Sequence, residues 1–330
     1  MVKRISLAAL AVLTAVGTAA CSSSASSSGT NGKIKVGFAI PTSKATYFTA
    51  YIDAVKAEAA KLGVSVNFAF AEDDAKNQNN QIATFATAGV SGIVLAPVDV
   101  DANVAGVTAL GGSTKLITSN RFLNTTYGGA SGENPLIHTG FSDLTVGENE
   151  GNLIVQACGN LDPCKVVLED GTLGSAPQVA RLKGTKNVLK EHPNIKLINV
   201  TTNNFQAQEA SSVTSTLLVK YPKIDVLATQ DDATAVAAVQ SIKQAKRAKD
   251  IKVVGVGGSK DGMAAIKSGD MYGTVWVSPK KDGVIALDSI VALIKKQSIA
   301  DQATVEGRPT VGVPILNVTA ANADQYPGEW

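Results

Sequence analysis

Two clusters of polar side chains follow apolar segments of the chain, at positions where strands are predicted to end. Asn120 and Arg121 follow one such segment, and Gln230 and Asp231 follow another. A planar guanidinium group or an amide at a strand end can engage two neighbouring hydroxyl groups, or a carboxylate, at once. These residue types therefore predict a site that holds a small polar ligand by hydrogen bonds.

Aromatic side chains occupy the same kind of position. Tyr47 and Phe48 follow the first predicted strand, and Phe205 and Trp276 lie in later loops, although only 5% of the chain is aromatic. Flat apolar rings beside fixed donors and acceptors suit a sugar, which has C–H faces and a rim of hydroxyl groups. We expect Trp276 to supply the apolar face opposite Tyr47. The alternative for each ring is a place in the packed core.

The spacing of other reactive residues does not support catalysis. Gly255 and Gly257 begin a dinucleotide-like pattern, but Lys260 stands where the third glycine is needed. His138 and His192 are the only histidines, and no nucleophile–base pair can be assembled around them. We therefore expect a protein that is not an enzyme and that holds no cofactor and no metal ion.

Cys158 and Cys164 are the only cysteines that follow Cys21. We expect this pair to form a disulfide in an oxidising compartment. It would close a short loop and stabilise the fold by roughly 2 kcal/mol. A zinc site is the alternative, but neither histidine lies within a few residues of the pair.

The beginning of the chain has the features of an export signal. Basic residues precede an apolar stretch, and small residues precede Cys21. The segment resembles a bacterial lipoprotein signal, which implies a signal peptide at residues 1–20, followed by a lipidated Cys21 and a flexible linker at residues 21–32. Thr18 stands where that motif has leucine. Ordinary secretion is the alternative.

Composition limits the partners. The net charge of +2 is small and evenly spread, so we expect no nucleic acid partner. No later segment has the roughly 18 consecutive apolar residues of a membrane span. Contact with the membrane is therefore expected through the lipid anchor alone.

From residue 33 onward, short apolar segments alternate with helical patterns in two similar series. In the first helical pattern, Ile52, Val55 and Ala59 recur at helical spacing, and Gly63 follows as a C-cap. This alternation predicts an α/β fold with two doubly wound lobes, each built on a parallel sheet. In such sheets, ligands bind at the carboxyl ends of the strands. One last strand is predicted at residues 310–316.

At these residues the chain resembles the bacterial periplasmic sugar-binding proteins of the ribose-binding type, which are receptors of ABC importers. The family's opening strand, polar turn, aromatic pair and Lys-Leu-Gly helix end match residues 34–63. Its Asp-Arg pair falls on Asn120 and Arg121. Its second-lobe aromatic falls on Phe205, and its Gln-Asn-Asp run on residues 230–232.

The resemblance implies a type I periplasmic binding protein architecture, in which a hinge of several segments joins the two lobes. We expect the first lobe to comprise residues 33–141 and 278–308, and the second to comprise residues 142–277 and 309–330. The ligand-binding residues expected in the cleft between the lobes are Lys44, Tyr47, Phe48, Asn120, Arg121, Phe141, Gln178, Phe205, Asp231, Gly257 and Trp276.

The resemblance also implies a function. It predicts a monomeric, extracytoplasmic receptor that is anchored by lipid to the outer face of the cytoplasmic membrane. Such a receptor captures a sugar or sugar alcohol and delivers it to the permease subunits of an ABC importer. A sensor receptor for a small signal molecule, such as a nucleoside or an autoinducer-like compound, is the alternative. Transcription repressors of the same fold are not predicted, because an export signal stands where their DNA-binding helices would be.

Several positions depart from the family pattern. Gly257 stands where the family has an aspartate, Val179 where it has a cleft arginine, and Val277 where it has a glutamine. We expect Gln178 to substitute for the arginine. Asp231 brings a carboxylate to a position where the family has asparagine. These changes predict a larger pocket with less charge beside Gly257, which suits a hexose or a sugar alcohol better than ribose.

Overall fold

The computed structural model describes residues 33–110, 114–124, 127–128 and 134–330. The predicted signal peptide, Cys21 and the linker lie outside the described residues. The strands are β1 (Lys35–Ile40), β2 (Ser65–Phe70), β3 (Gly92–Leu95), β4 (Lys115–Ser119), β5 (Tyr127–Gly128), β6 (Asn134–Pro135), β7 (His138–Gly140), β8 (Cys164–Asp170), β9 (Ile195–Thr202), β10 (Val226–Thr229), β11 (Lys252–Gly257), β12 (Gly273–Trp276), β13 (Gln302–Val305), β14 (Arg308–Gly312) and β15 (Leu316–Thr319). The helices are α1 (Thr46–Leu62), α2 (Ala75–Thr87), α3 (Ala102–Ala109), α4 (Asp143–Cys158), α5 (Ala176–Leu189), α6 (Ala207–Lys220), α7 (Asp232–Gln244), α8 (Lys260–Ser268) and α9 (Pro279–Ile294).

The first lobe is built on a seven-stranded sheet with the order β13–β14–β7–β4–β3–β1–β2. All neighbouring strands pair in parallel except the edge strand β13, which is antiparallel to β14. Phe38 packs on the side covered by α1 and α9, and its neighbour Ala39 packs on the side covered by α2. The strands are apolar on both faces because helices cover both faces.

The second lobe repeats this arrangement on a six-stranded sheet with the order β15–β12–β11–β10–β8–β9. Only β15 runs antiparallel to its neighbour. Helices α4 and α5 cover one face, and α6, α7 and α8 cover the other. Leu153 and Leu168 are fully buried between α4 and the sheet. Burial of each such side chain contributes about 1.5–3 kcal/mol to the free energy of unfolding.

Capping residues in the sequence set the helix boundaries next to the strand ends. Asp74, Ser142 and Ser259 are N-caps, and the side chain of each accepts a hydrogen bond from a backbone N–H of the first helical turn. Helix α1 ends at Gly63, whose φ of 68° lies in the left-handed region. Polar residues at the carboxyl ends of the strands therefore start the helices that cover the sheets.

The chain crosses between the two lobes after β7, after β12 and after β14, which gives the predicted hinge of several segments. The last crossing falls later than the boundary expected at Arg308. The reason is that Arg308–Gly312 pairs in parallel with β7 and so belongs to the first sheet. For the same reason, the single strand expected at residues 310–316 is two strands, β14 and β15, in different lobes.

Cys158 and Cys164 form the predicted disulfide, with their Cα atoms 5.7 Å apart. The bond joins the end of α4 to the start of β8. Across the described ranges, no three His, Cys, Asp or Glu side chains are grouped so as to hold a metal ion. None of the helices in those ranges is both long and apolar enough to cross a membrane.

Candidate functional site

Asn120 and Arg121 lie directly after β4, at the edge of the first sheet where the lobes are joined. Asn120 adopts a φ of 66°, and its backbone N–H donates to the carbonyl of Thr139 at 3.0 Å. The Nη1 atom of Arg121 donates to the carbonyl of Pro97 at 3.1 Å. These bonds hold the turn and its guanidinium group at the carboxyl edge of the first sheet.

Charged groups of the second lobe face Arg121. The Nε atom of Arg181 donates to Asp143 Oδ1 at 2.8 Å, and its Nη1 atom donates to the carbonyl of Gln230 at 2.7 Å. Burial lowers the pKa of Arg121, the carboxylate of Asp143 opposes this effect, and the charge of Arg181 adds to it. Guanidinium groups from both lobes therefore act on the carboxylate of Asp143.

Asp231 joins this cluster from the start of α7. Its Oδ1 atom accepts hydrogen bonds from the backbone N–H groups of Ala233 at 2.8 Å and Thr234 at 3.2 Å, so it is the N-cap of the helix. Burial and the neighbouring carboxyl group of Asp232 raise the pKa of Asp231 to about 6, whereas the charge of Arg181 opposes the rise. Above about pH 6 this carboxylate can accept a hydrogen bond from a ligand hydroxyl group.

Tyr47 is the centre of an aromatic cluster at the crossings. Its ring makes edge-on contacts with Phe48, Phe141 and Trp330, at centroid distances of 5.5, 6.3 and 5.8 Å. Its hydroxyl group donates to Asp282 Oδ2 at 2.9 Å. Phe48 is only 4% exposed and packs in the core of the first lobe. The alternative role of core packing therefore applies to Phe48.

Asp282 is fully buried in the first turn of α9. In addition to the Tyr47 hydroxyl, its carboxyl group receives a hydrogen bond from Ser119 Oγ at 3.1 Å and one from the side chain of Asn120. Burial raises the pKa of Asp282 to about 7, and these hydrogen bonds oppose the rise. The carboxyl group thus links the end of β4 to α9 and holds Tyr47 in place.

The expected position of Trp276 is wrong. Its side chain is 3% exposed within the second-lobe core, where its ring lies 5.4 Å from the ring of Tyr326 and its Nε1 atom donates to the carbonyl of Pro327. The indole that contacts Tyr47 belongs to Trp330 instead. Both tryptophans lie near the strand ends of the second lobe, and the packing of residues 326–330 decides which of them reaches the first lobe.

Two further expectations about the second lobe need correction. Gln178 does not replace the missing arginine, because its Nε2 atom donates to Asp170 Oδ2 at 2.7 Å and its Oε1 atom accepts from the backbone N–H of Gly174 at 3.0 Å. Gly257 does not leave an empty volume. The Cζ2 atom of Trp330 lies 3.0 Å from the point where a Cβ atom on Gly257 would stand. The pocket is therefore not enlarged on this side.

Lys44 and Phe205, which were also expected in the site, make other contacts. The side chain of Lys44 is 79% exposed, and its Nζ atom lies 3.8 Å from Glu72 Oε2. Phe205 adopts a φ of 58°, and its half-buried ring packs directly against Gly171 at the end of β8. Five of the expected residues are grouped around the crossings, namely Tyr47, Asn120, Arg121, Phe141 and Asp231.

Four residues of the site were missed by sequence reasoning: Asp143, Arg181, Asp282 and Trp330. Arg181 could have been found, because it lies in the segment 171–184 that resembles the family's helix with arginine and glycine. Asp143 and Asp282 gave no such signal, because acidic residues in the first turn of a helix are common without any ligand role.

This chain is similar to known proteins. A family profile described as periplasmic binding protein domain matches residues 36–298. The xylitol-binding protein of Mycolicibacterium smegmatis is 28% identical over 258 residues, which cover 77% of this chain and 67% of that protein. The ribose import binding protein of Haemophilus influenzae is 24% identical over 289 residues, which cover 87% of this chain and 94% of that protein.

Solved structures share the fold. An ABC transporter periplasmic solute binding protein from Actinobacillus succinogenes, solved with bound D-allose, matches this chain with a TM-score of 0.79 at 20% identity. The match covers 89% of this chain and 100% of that one. The two mostly parallel sheets and the crossings between them agree with this architecture. Since the family profile spans both lobes, this chain belongs to the family of periplasmic binding protein domains.

Proposed function

We propose that this protein is an extracytoplasmic receptor that captures a sugar or sugar alcohol between its lobes and delivers it to an ABC importer. The observation that carries the proposal is a set of four charged residues, here named the cleft cluster: Arg121, Asp143, Arg181 and Asp231. Arg121 comes from the first lobe and the other three from the second. A ligand bound by this cluster is therefore held by both lobes at once.

The charges of the cleft cluster favour a neutral ligand. Two guanidinium groups face two carboxylates, so the cluster as a whole has a net charge of about zero above pH 6, given the pKa of about 6 for Asp231. An acid or an amine would upset this balance, whereas hydroxyl groups can both donate to carboxylates and accept from guanidinium groups. Each hydrogen bond to a charged group contributes about 1.5–3 kcal/mol to affinity when it is well formed.

The relatives support the same ligand class. Their names specify xylitol, a sugar alcohol, and ribose, a sugar, and one of these names also specifies import. We propose a sugar or a sugar alcohol as the ligand. The proposal also includes a lipid anchor at Cys21, a monomeric state, permease subunits as the protein partner, and binding without chemical change of the ligand.

A thermal-shift screen of the purified protein tests the proposal. The panel contains xylitol, other sugar alcohols, ribose, hexoses, nucleosides and amino acids. A ligand at a hundredfold excess over its dissociation constant stabilises the fold by about 2.7 kcal/mol, which gives a clear rise in melting temperature. We expect this rise for a sugar alcohol or a sugar, with calorimetry giving one site per chain.

The same screen can contradict the proposal in two ways. If a nucleoside raises the melting temperature and no sugar or sugar alcohol does, the receptor senses or takes up another class of molecule. If the bound sugar is recovered in altered form when the complex is denatured and analysed by mass spectrometry, the protein is an enzyme. Recovery of unchanged ligand is the expected result.

A further inference from the structure

Residues 327–330 are held by hydrogen bonds to the second lobe, at the carboxyl ends of its strands. The carbonyl of Pro327 accepts a hydrogen bond from Trp276 Nε1 at 3.1 Å. The carbonyl of Trp330 accepts one from the backbone N–H of Lys260 at 2.8 Å. The segment is therefore held in a defined position beside β11 and β12.

Glu329 connects the same segment by hydrogen bonds to the crossing between β12 and α9. The Oγ atom of Ser278 lies 2.8 Å from both carboxylate oxygens of Glu329, and the backbone N–H of Lys280 donates to one of them at 3.2 Å. Ser278 is fully buried and is the N-cap of α9. The segment is thus fixed to the hinge as well as to the second lobe.

The indole of Trp330 reaches from this segment to the first lobe. Its ring centroid lies 5.8 Å from that of Tyr47, with the two ring planes at 71°. On its other side, Cζ2 and Cη2 lie 3.0 and 3.3 Å from the point where a Cβ atom on Gly257 would stand. A side chain at position 257, where φ is 144°, would displace the indole. The half-buried ring therefore occupies a place between the strand ends of the two lobes.

Building on the proposed function, we infer that Trp330 contacts the ligand and determines specificity, as the aromatic wall of the cleft against which the C–H face of a sugar or sugar alcohol packs. An indole offers a large apolar face with a single hydrogen-bond donor. Gly257 places no side chain at this point, and the nearby Oδ2 atom of Asp232 already accepts hydrogen bonds from the backbone N–H groups of Gly258 and Ser259. The indole face of Trp330 therefore recognises the carbon skeleton of the ligand. Recognition of the hydroxyl groups is left to the cleft cluster.

Calorimetry with the ligand that most stabilises the wild-type protein in the panel tests this assignment. We expect Trp330→Ala to lower affinity at least tenfold, and Trp330→Phe to retain affinity within about fivefold because a phenyl ring can still pack on the ligand. Tyr326→Ala is the matched control. It removes a ring of the same part of the chain that packs on Trp276 and not on Tyr47, so we expect affinity within twofold of wild type.

Tryptophan fluorescence gives a second measurement that does not depend on stability. The chain has two tryptophans, and Trp330→Phe leaves only the buried Trp276. We expect ligand to change the emission of the wild-type protein but not that of Trp330→Phe.

The outcomes separate this assignment from the proposed function. A wild-type protein that binds no member of the panel overturns both. If the wild-type protein binds, equal or tighter binding by Trp330→Ala overturns the assignment alone. Equal losses of ligand affinity in Trp330→Ala and Tyr326→Ala also overturn the assignment. They would indicate that both substitutions act by loosening the segment 327–330, and not by removing a contact with the ligand. The assignment is also overturned if ligand still changes the fluorescence emission of Trp330→Phe.

Discussion

Arg121 and Arg181 belong to different lobes, yet both act on the carboxylate of Asp143. The planar fork of Arg121 can donate two parallel hydrogen bonds to neighbouring hydroxyl groups, which an ammonium group cannot do. We expect Arg121→Lys to weaken ligand binding by about 2 kcal/mol, measured by calorimetry. Lys44→Ala is the control and should bind as the wild type does, because Lys44 is exposed. Wild-type affinity in Arg121→Lys would assign Arg121 a purely structural role.

Asp231 has two roles that substitutions can separate. Asparagine is as good an N-cap as aspartate, so Asp231→Asn should keep the melting temperature of the free protein while it loses the carboxylate that accepts ligand hydroxyl groups. Asp231→Ala should also lower the free energy of unfolding by about 1 kcal/mol. We expect both variants to lose at least tenfold in affinity by calorimetry. Asp231→Asn with wild-type affinity would show that Asp231 only caps the helix.

The titration of Asp231 adds a pH dependence to binding. Its pKa of about 6 means that the carboxylate is lost as the pH falls below that value. Wild-type affinity should therefore decrease between about pH 7 and pH 5, and Asp231→Asn should show a smaller decrease over the same range.

Residue types at strand ends singled out Asn120 and Arg121, which follow their strand directly and lie at the crossings; their contact with a ligand stays a prediction. The same reasoning gave a wrong prediction for Trp276, which also lies at the end of a strand, β12. Strand-end position does not say whether a side chain points into the core. Only the packing of residues far along the chain, here 326–330, decides that.

The close approach of α4 and α5 places Arg181 against Asp143. A Cβ atom on Gly184 would stand 2.2 Å from the carbonyl oxygen of Leu144. Gly184→Ala must therefore push the two helices apart, at a cost of about 1–3 kcal/mol in the free energy of unfolding. We expect lower stability in urea denaturation and weaker ligand binding.

Gly312→Ala is a suitable control for this change. A Cβ atom on Gly312 would meet no heavy atom within 4 Å, so neither stability nor binding should change. If Gly184→Ala is as stable as the wild type, the helix pair can adjust, and the close contact does not determine the position of Arg181.

The periodic elements were predictable because each carries its own signal. The strand expected at residues 34–40 is β1, and the pattern that ends at Gly63 is α1. The terminal strand was not predictable in this way. Val313 to Ile315 continue the apolar run of β14, but the chain crosses to the other lobe there. An apolar segment shows that a strand is buried and does not show in which sheet it lies.

The family resemblance explains why two lobes were predicted with their crossings. Repetition of strand and helix in two series predicts two sheets, and the crossing at Ser278 is visible as a polar residue before a helix-starting proline.

The sequence did not show which carboxyl groups are buried inside the lobes. Seven carboxyl groups of the described residues are held in surroundings that raise their pKa. Two of them are Asp232 and Asp288, and in the other five the pKa is raised to about 7 for Glu150, Glu169 and Asp282 and to about 6 for Asp170 and Asp231.

These carboxyl groups predict how stability depends on pH. Burial is the main cause of each raised pKa, so between roughly pH 4 and pH 7 the native state binds more protons than the unfolded state. The free energy of unfolding should therefore fall as pH rises through this range. His138 opposes the trend up to its ordinary pKa of 6.5, because burial lowers its pKa to about 3. These carboxyl groups outweigh one imidazole, so the melting temperature should be higher at pH 5 than at pH 8.

Glu150 offers a direct test, because it is fully buried between α4 and α5, and the charge of Arg181 only partly opposes the rise in its pKa. Its Oε2 atom accepts a hydrogen bond from Thr185 Oγ1 at 2.6 Å, which a glutamine can also accept. Glu150→Gln removes one titrating group, so the decrease in melting temperature from pH 5 to pH 8 should become smaller. Asp53→Asn, on the exposed side of α1, should leave the pH curve unchanged. A wild-type melting temperature that rises over this range, or a Glu150→Gln curve parallel to that of the wild type, would contradict the prediction.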